Sequence, residues 1–192
     1  MADGVVAPAS GASEEVRGLV ERAQGGDRAA LEELYLLHFD RIYSYLHMAV
    51  GNRHDAEDLT TQTFMRMLEA ITGFHFGRAP FSAWLFRIAH NLAMDHFRAS
   101  RRVQSAEEVP EAGRAMDDSA EDQALAQIGR GSMLQLIGGL SHEQQQVLTL
   151  KFVFSFSNGE AATILDKTEG AVKSLQHRAL VSLQKQITAA SP

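Results

Sequence analysis

The sequence contains no cysteine. That excludes disulfide staples, thiolate zinc sites and cysteine nucleophiles together, and it fits a reducing cytoplasm. No apolar run approaches the roughly 20 residues of a membrane span. Residues 1–12 are small and polar, with no basic segment ahead of an apolar core, so neither an export signal nor membrane insertion is expected. There is no β-hairpin signal, no internal repeat and no phosphate-binding loop.

Metal chemistry is poorly supplied. His142-Glu143 begins like a zincin motif, but the position one turn later holds Gln146 where a second histidine is needed. His90 and His96 are six apart and fall on different faces of a helix. No metal and no cofactor is expected, and no enzymatic constellation stands out.

Positive charge is scarce too. Lys and Arg number 18 against 24 acidic residues, a formal charge of −6 over 192 residues. The distribution matters more than the total. Residues 78–102 hold Arg78, Arg87, Arg98, Arg101 and Arg102 against Asp95 alone, and residues 167–185 hold Lys167, Lys173, Arg178 and Lys185 against Glu169. Between them, residues 103–123 carry seven acidic residues against Arg114. Two modest basic patches flanking an acidic connector imply weak DNA affinity for the protein alone, because phosphate neutralisation supplies most non-specific binding.

What is present is helical periodicity. Residues 1–12 have little to bury and read as disordered. Helices are expected over about 13–24, ended by Gly25-Gly26; from Asp27 to about 50, with Leu31, Leu34, Tyr35, Phe39, Ile42, Tyr43 and Leu46 inward; over 55–71, with Leu59, Thr63, Met67 and Leu68 inward; and over 81–99, through Trp84, Leu85, Ile88, Ala89 and Leu92. The acidic stretch is too long for a loop inside one domain and reads as a linker. Helix resumes over 124–137 and again from Ser141, with Gln144 in the capping-box position, to about 154. The expectation is an all-α chain of two small helical domains, 13–100 and 124–190, joined by a flexible acidic linker over 101–123.

The most informative stretch is 157–180. Ser157 and Glu160 make a capping box; Ala161, Ala162, Ile164 and Leu165 give a small apolar face. Asp166-Lys167 forms a turn, and Thr168 caps a second helix whose Ala171, Val172, Leu175, Ala179, Leu180 and Leu183 face inward. Lys173, Ser174, His177 and Arg178 then lie on the opposite side, as a helix-turn-helix presents donors to a DNA groove. The same residues also fit an ordinary helical hairpin with a solvated face.

Three motifs in order resemble the bacterial RNA polymerase sigma factors. Residues 54–64, His-Asp-Ala-Glu-Asp-Leu-Thr-Thr-Gln-Thr-Phe, are similar to their core-binding helix. Residues 81–95, Phe-Ser-Ala-Trp-Leu-Phe-Arg-Ile-Ala-His-Asn-Leu-Ala-Met-Asp, are similar to their promoter-melting, −10-reading helix. Residues 140–150 with the helix-turn-helix are similar to their −35-reading domain. The two-domain layout, matched over roughly 14–100 and 124–187, resembles the extracytoplasmic-function (ECF) group, with sigma region 2 in the first domain and region 4 in the second.

The resemblance implies a non-enzymatic, dissociable subunit that binds core RNA polymerase at the β′ clamp and β flap, reads −35 and −10 promoter DNA, assists melting, and is restrained by an anti-sigma factor. Asp55, Glu57, Asp58, Gln62 and Phe64 would meet the polymerase. Read without the family, Asp55 and Asp58 are equally a helix N-terminus enriched in acids. A −10 pocket would draw on the loop residues Phe74, His75, Arg78 and Phe81 together with Asn91, while Arg87, Arg98, Arg101 and Arg102 would hold backbone phosphates. Unstacking a base costs a few kcal/mol, and aromatic stacking returns roughly 1–3 kcal/mol per base. Asn91 offers donor and acceptor to a base edge; Trp84 is expected to pack, while Phe74 and Phe81 could pack or stack. Lys173, Ser174, His177 and Arg178 would contact the −35 element, Arg178 pairing with guanine or holding a phosphate. The acidic linker is either a solvated tether or a nucleic-acid mimic in the RNA path. The rival reading is a free-standing regulator that binds a duplex operator as a symmetric dimer.

Overall fold

The computed structural model describes residues 10–77, 79–104 and 139–190. Among them the regular structure is helical, with no strand. The chain divides into two compact units, residues 1–110 and 111–192.

The first unit holds α1 (Ser10–Gln24), α2 (Arg28–Val50), α3 (Arg53–Ala70), a single 3-10 turn (Ile71–Gly73) and α4 (Phe81–Gln104). Gly26 leaves α1 at φ +87°, in the left-handed region where a Cβ is unfavourable. Asp27 then caps α2, accepting from the N–H of Ala29 at 2.9 Å and of Ala30 at 3.4 Å. The Arg22 guanidinium bonded to Asp27 holds its carboxyl below the usual value. Gly51 ends α2 at φ +77° and passes the chain straight to Asn52, whose side chain accepts from the Asp55 N–H at 2.8 Å and starts α3. Neither α2 nor α4 contains an internal glycine or proline, so both run long.

α2 packs against α1, α3 and α4. Its buried Leu34, Ile42 and Leu46 meet a core completed by Val20, Met67, Phe81, Leu85 and Phe86. Ala83, Ala89 and Ala93 are also buried and allow α4 to approach closely. The buried hydroxyls of Thr60 and Thr63 each donate back to a carbonyl one turn earlier, at 2.7 Å, so they enter the core satisfied.

The second unit holds α5 (His142–Leu148), a wide turn of π-type bonding (Thr149–Val153), α6 (Asn158–Leu165) and α7 (Glu169–Ala190). Ser141 and Ser157 both form capping boxes, with Gln144 and Glu160 respectively. Buried Val147, Leu150, Phe154, Phe156, Ile164, Val172 and Ala179 form its core.

Several boundaries differ from the sequence expectation. α1 starts at Ser10, three residues inside the stretch expected to be disordered, and α4 continues through Arg101 and Arg102. α3 starts at Arg53 because Asn52 is its cap. The helix expected up to residue 154 widens at Thr149, where the Phe154 N–H reaches the Thr149 carbonyl at 3.2 Å. Phe154 and Phe156 thereby turn into the core, while Phe152 and Val153 face out. Leu68 and Leu180, expected inward, are 50% and 44% exposed. Residues 1–9, nearly all of the acidic linker and the helix expected over 124–137 lie outside the described residues.

Candidate nucleic-acid and polymerase interface

The second unit presents α7. α6 ends at Asp166 in the left-handed conformation (φ 52°), and the Lys167 N–H closes onto the Ala162 carbonyl at 2.9 Å. Aspartate tolerates this geometry better than most residues. The Thr168 hydroxyl then accepts from the Ala171 N–H at 3.2 Å and starts α7. Val172, Leu175 and Ala179 are buried, so Lys173, Ser174, His177 and Arg178 are brought together on the exposed side.

Two ion pairs shape this face. Lys167 reaches Glu143 on α5 at 2.7 Å, pinning the inter-helix turn. The hydrogen bond from Lys167 keeps the Glu143 carboxyl below its usual range, and the Lys167 charge adds to the effect. Lys173 pairs with Glu169 one turn back at 2.8 Å, and that bond lowers Glu169 likewise. Arg178 lies along the helix, its Nε donating to the Ser174 carbonyl at 3.3 Å. Gln146, which stands where a zincin would carry histidine, bonds His142 at 2.9 Å. Among the described residues no group of His, Asp and Glu could hold a metal ion.

In the first unit, α4 buries Leu85, Phe86, Ala89, Leu92 and Ala93, and exposes Arg87, Asn91 and Arg98. The spacings of four and seven align those three on one face. Arg98 also pairs with Asp95 at 3.0 Å. Of the preceding loop, His75 is exposed and Phe76 half-buried; Arg78 lies outside the described residues. Phe74 and Phe81 resolve into core. Phe81 is 1% exposed and packs on His38 and Trp84, with ring centroids at 5.5 and 5.4 Å. Phe74 meets Phe81 edge-on at 5.4 Å and Trp84 at 5.0 Å. Neither has a ring face open to a base, because α4 begins at Phe81 and folds that ring beneath the loop. Trp84 is half-buried in the same cluster.

On α3, Glu57, Asp58 and Gln62 are exposed. Arg53 holds Glu57 at 2.7 Å, and that bond raises the guanidinium pKa. Asp55 is turned aside: its carboxylate takes a bond from the Asn52 side chain and faces His96 of α4 at 3.2 Å. Phe64, expected to meet the polymerase, is buried and packs edge-on against Tyr35 at 4.7 Å. It supports the surface from below.

The sequence reading missed His96, whose partner on α3 lies 41 positions away. It also missed a ladder on α2, although the four-residue spacing was visible. Tyr35, Phe39, Tyr43 and His47 run ring on ring at 5.2, 6.2 and 5.8 Å, none of them fully buried.

Comparison with known proteins agrees with this architecture. Residues 34–103 match the Sigma-70 region 2 family and residues 130–183 match Sigma-70, region 4. The chain is 38% identical over 170 residues to the ECF RNA polymerase sigma factor BldN of Streptomyces coelicolor, covering 87% of this chain and 64% of BldN. It is 32% identical over 183 residues to the ECF RNA polymerase sigma factor SigD of Mycobacterium tuberculosis, covering 92% of this chain and 86% of SigD. The fold is that of the sigma factor RpoE in its complex with the anti-sigma factor NepR from Bartonella quintana (TM-score 0.67, 24% identity, 83% of this chain and 97% of that one). The exposed basic face of α7 and the polar faces of α3 and α4 therefore sit in the two modules that define a family, and the chain belongs to the ECF group of sigma-70 RNA polymerase sigma factors.

Proposed function

We propose that this chain brings core RNA polymerase to promoters, reads a −35 element with α7 and a −10 element with α4 and the loop before it, and assists opening of the duplex. The arrangement of α7 carries the reading: Lys173, Ser174, His177 and Arg178 stand exposed over a buried Val172, Leu175 and Ala179, behind a turn pinned by Lys167 and Glu143. On α4, Asn91 offers a base edge both donor and acceptor, and Arg87 and Arg98 neutralise phosphate. His75 is exposed beside the base pocket, and the buried Phe74 and Phe81 support its loop from beneath; Arg78 is assigned to the same contact from its place in the sequence alone. Glu57, Asp58 and Gln62 meet the β′ clamp directly, while Asp55 and Phe64 brace that surface; the β flap is the counterpart of the second unit. The role is non-enzymatic and cytoplasmic, and an anti-sigma factor is the restraining partner that the family resemblance implies.

Each module alone is a weak DNA ligand, and two weak contacts on one frame gain by effective concentration. Run-off transcription with purified core polymerase on a promoter library tests this. The expected result is initiation dependent on both elements, with little specific retention of duplex by free protein. Tight binding of a palindromic duplex by the free chain, without initiation, favours the regulator and overturns the proposal.

A further inference from the structure

The loop assigned above to the −10 base is gripped from α1, which lies outside both matched regions. The Gln24 side-chain amide donates both its protons, to the Ile71 carbonyl at 2.9 Å and to the Phe74 carbonyl at 2.6 Å. Those carbonyls bracket the 3-10 turn, whose own Phe74 N–H to Ile71 carbonyl bond is 3.0 Å. Two helical turns earlier, on the same face of α1, Arg17 sets its guanidinium 4.7 Å from the Phe76 ring centroid. Phe76 in turn meets Phe74 edge-on at 5.0 Å. The segment 71–76 is thus held at both ends by one helix, while Gly77 beyond it has open space on its Cβ side among the described residues.

We infer that Arg17 and Gln24 are positioning residues for −10 base recognition, holding the Phe74–His75–Phe76 backbone in the conformation that presents His75. Neither needs to touch DNA. A pocket ordered before the base arrives avoids the ordering cost at the moment of capture. The inference rests on the reading of this loop as the −10 site.

The test compares Arg17→Ala, Arg17→Lys, Gln24→Glu and His75→Ala as full-length proteins with core polymerase, on a panel of single-base changes in the −10 and −35 elements. Gln24→Glu keeps the shape of the side chain and removes both donors. Arg17 is exposed, so its replacement leaves the core intact even where Gln24→Glu lowers stability. The expected result is a roughly 3- to 10-fold flattening of −10 discrimination in Arg17→Ala and Gln24→Glu, the range that one cation–π contact or one net hydrogen bond converts to. Discrimination at −35 and affinity for core polymerase should stay native, and Arg17→Lys should restore the −10 preference. Native −10 discrimination in both variants, while His75→Ala loses it, overturns the inference, as does parallel weakening at both elements. Native discrimination in His75→Ala overturns the loop assignment itself, and the inference with it.

Discussion

The Tyr45 hydroxyl lies 2.9 Å from Nδ1 of His90, both side chains buried, joining α2 to α4 one residue before Asn91. Burial pushes the Tyr45 phenol well above its ordinary pKa, so it stays protonated at any working pH. Tyr45→Phe should cost about 0.5–1.5 kcal/mol, the net worth of one such bond. Urea unfolding of the first unit measures it, and an unchanged midpoint would show that the contact contributes nothing.

His38 gives the first unit an acid sensitivity. It is buried, and neither ring nitrogen has a hydrogen-bond partner among the described residues. Burial, helped by the charge of Arg41, lowers its pKa from 6.5 to about 4. Between those values the unfolded chain binds a proton that the folded chain refuses, so stability rises with pH. The contribution is intact above about pH 6.5 and falls by up to about 1.4 kcal/mol per unit toward pH 4. His38→Leu should flatten unfolding midpoints measured at pH 7, 6 and 5; an equal slope in the variant would contradict this.

Phe81 separates packing from base stacking. As core, Phe81→Ala should destabilise by about 3–5 kcal/mol, and thermal unfolding of the first unit should drop sharply. Native stability with a selective loss of promoter melting would instead return the ring to a DNA-contacting role.

The capping box of α6 fixes the entry to the helix-turn-helix. Ser157 accepts from the Glu160 N–H at 3.2 Å and Glu160 from the Ser157 N–H at 2.6 Å. Ser157→Ala should cost the second unit about 1 kcal/mol, read by chemical denaturation. Transcription from promoters with a weak −35 element should suffer most.

Lys173 and Arg178 are expected to differ in kind. A phosphate contact weakens binding uniformly and lowers the salt slope by about one when removed. A guanine contact costs roughly tenfold or more in discrimination at one position. Holoenzyme titrations of Lys173→Ala and Arg178→Ala across salt, on matched and single-mismatch −35 sequences, assign each residue. No effect of either variant would remove α7 from the DNA interface.

The helices were readable because their capping chemistry is local. Asp27, Ser141 and Ser157 announce starts, and Gly25-Gly26 and Gly51 announce stops. The exposed side of α7 followed from periodicity, since burying Val172, Leu175 and Ala179 leaves Lys173, His177 and Arg178 no other side. What the sequence hid was long-range. Nothing near His96 points to Asp55, and nothing near Gln24 points to carbonyls 47 and 50 positions on. Aromatic residues were ambiguous for a related reason. Phe64, Phe74 and Phe81 suit a binding face or a core equally well, and only the packing of α2 against α3 and α4 decides between them.

The place of α1 bears on how the first unit should be excised for isolated work. A fragment trimmed to the family-matched span 34–103 would discard Leu19, Val20 and Ala23, all buried, together with both side chains that grip the loop. Such a piece would face solvent with a stripped hydrophobic flank and a slack loop between α3 and α4. Its poor selectivity would then reflect the choice of cloning boundary, not the native protein.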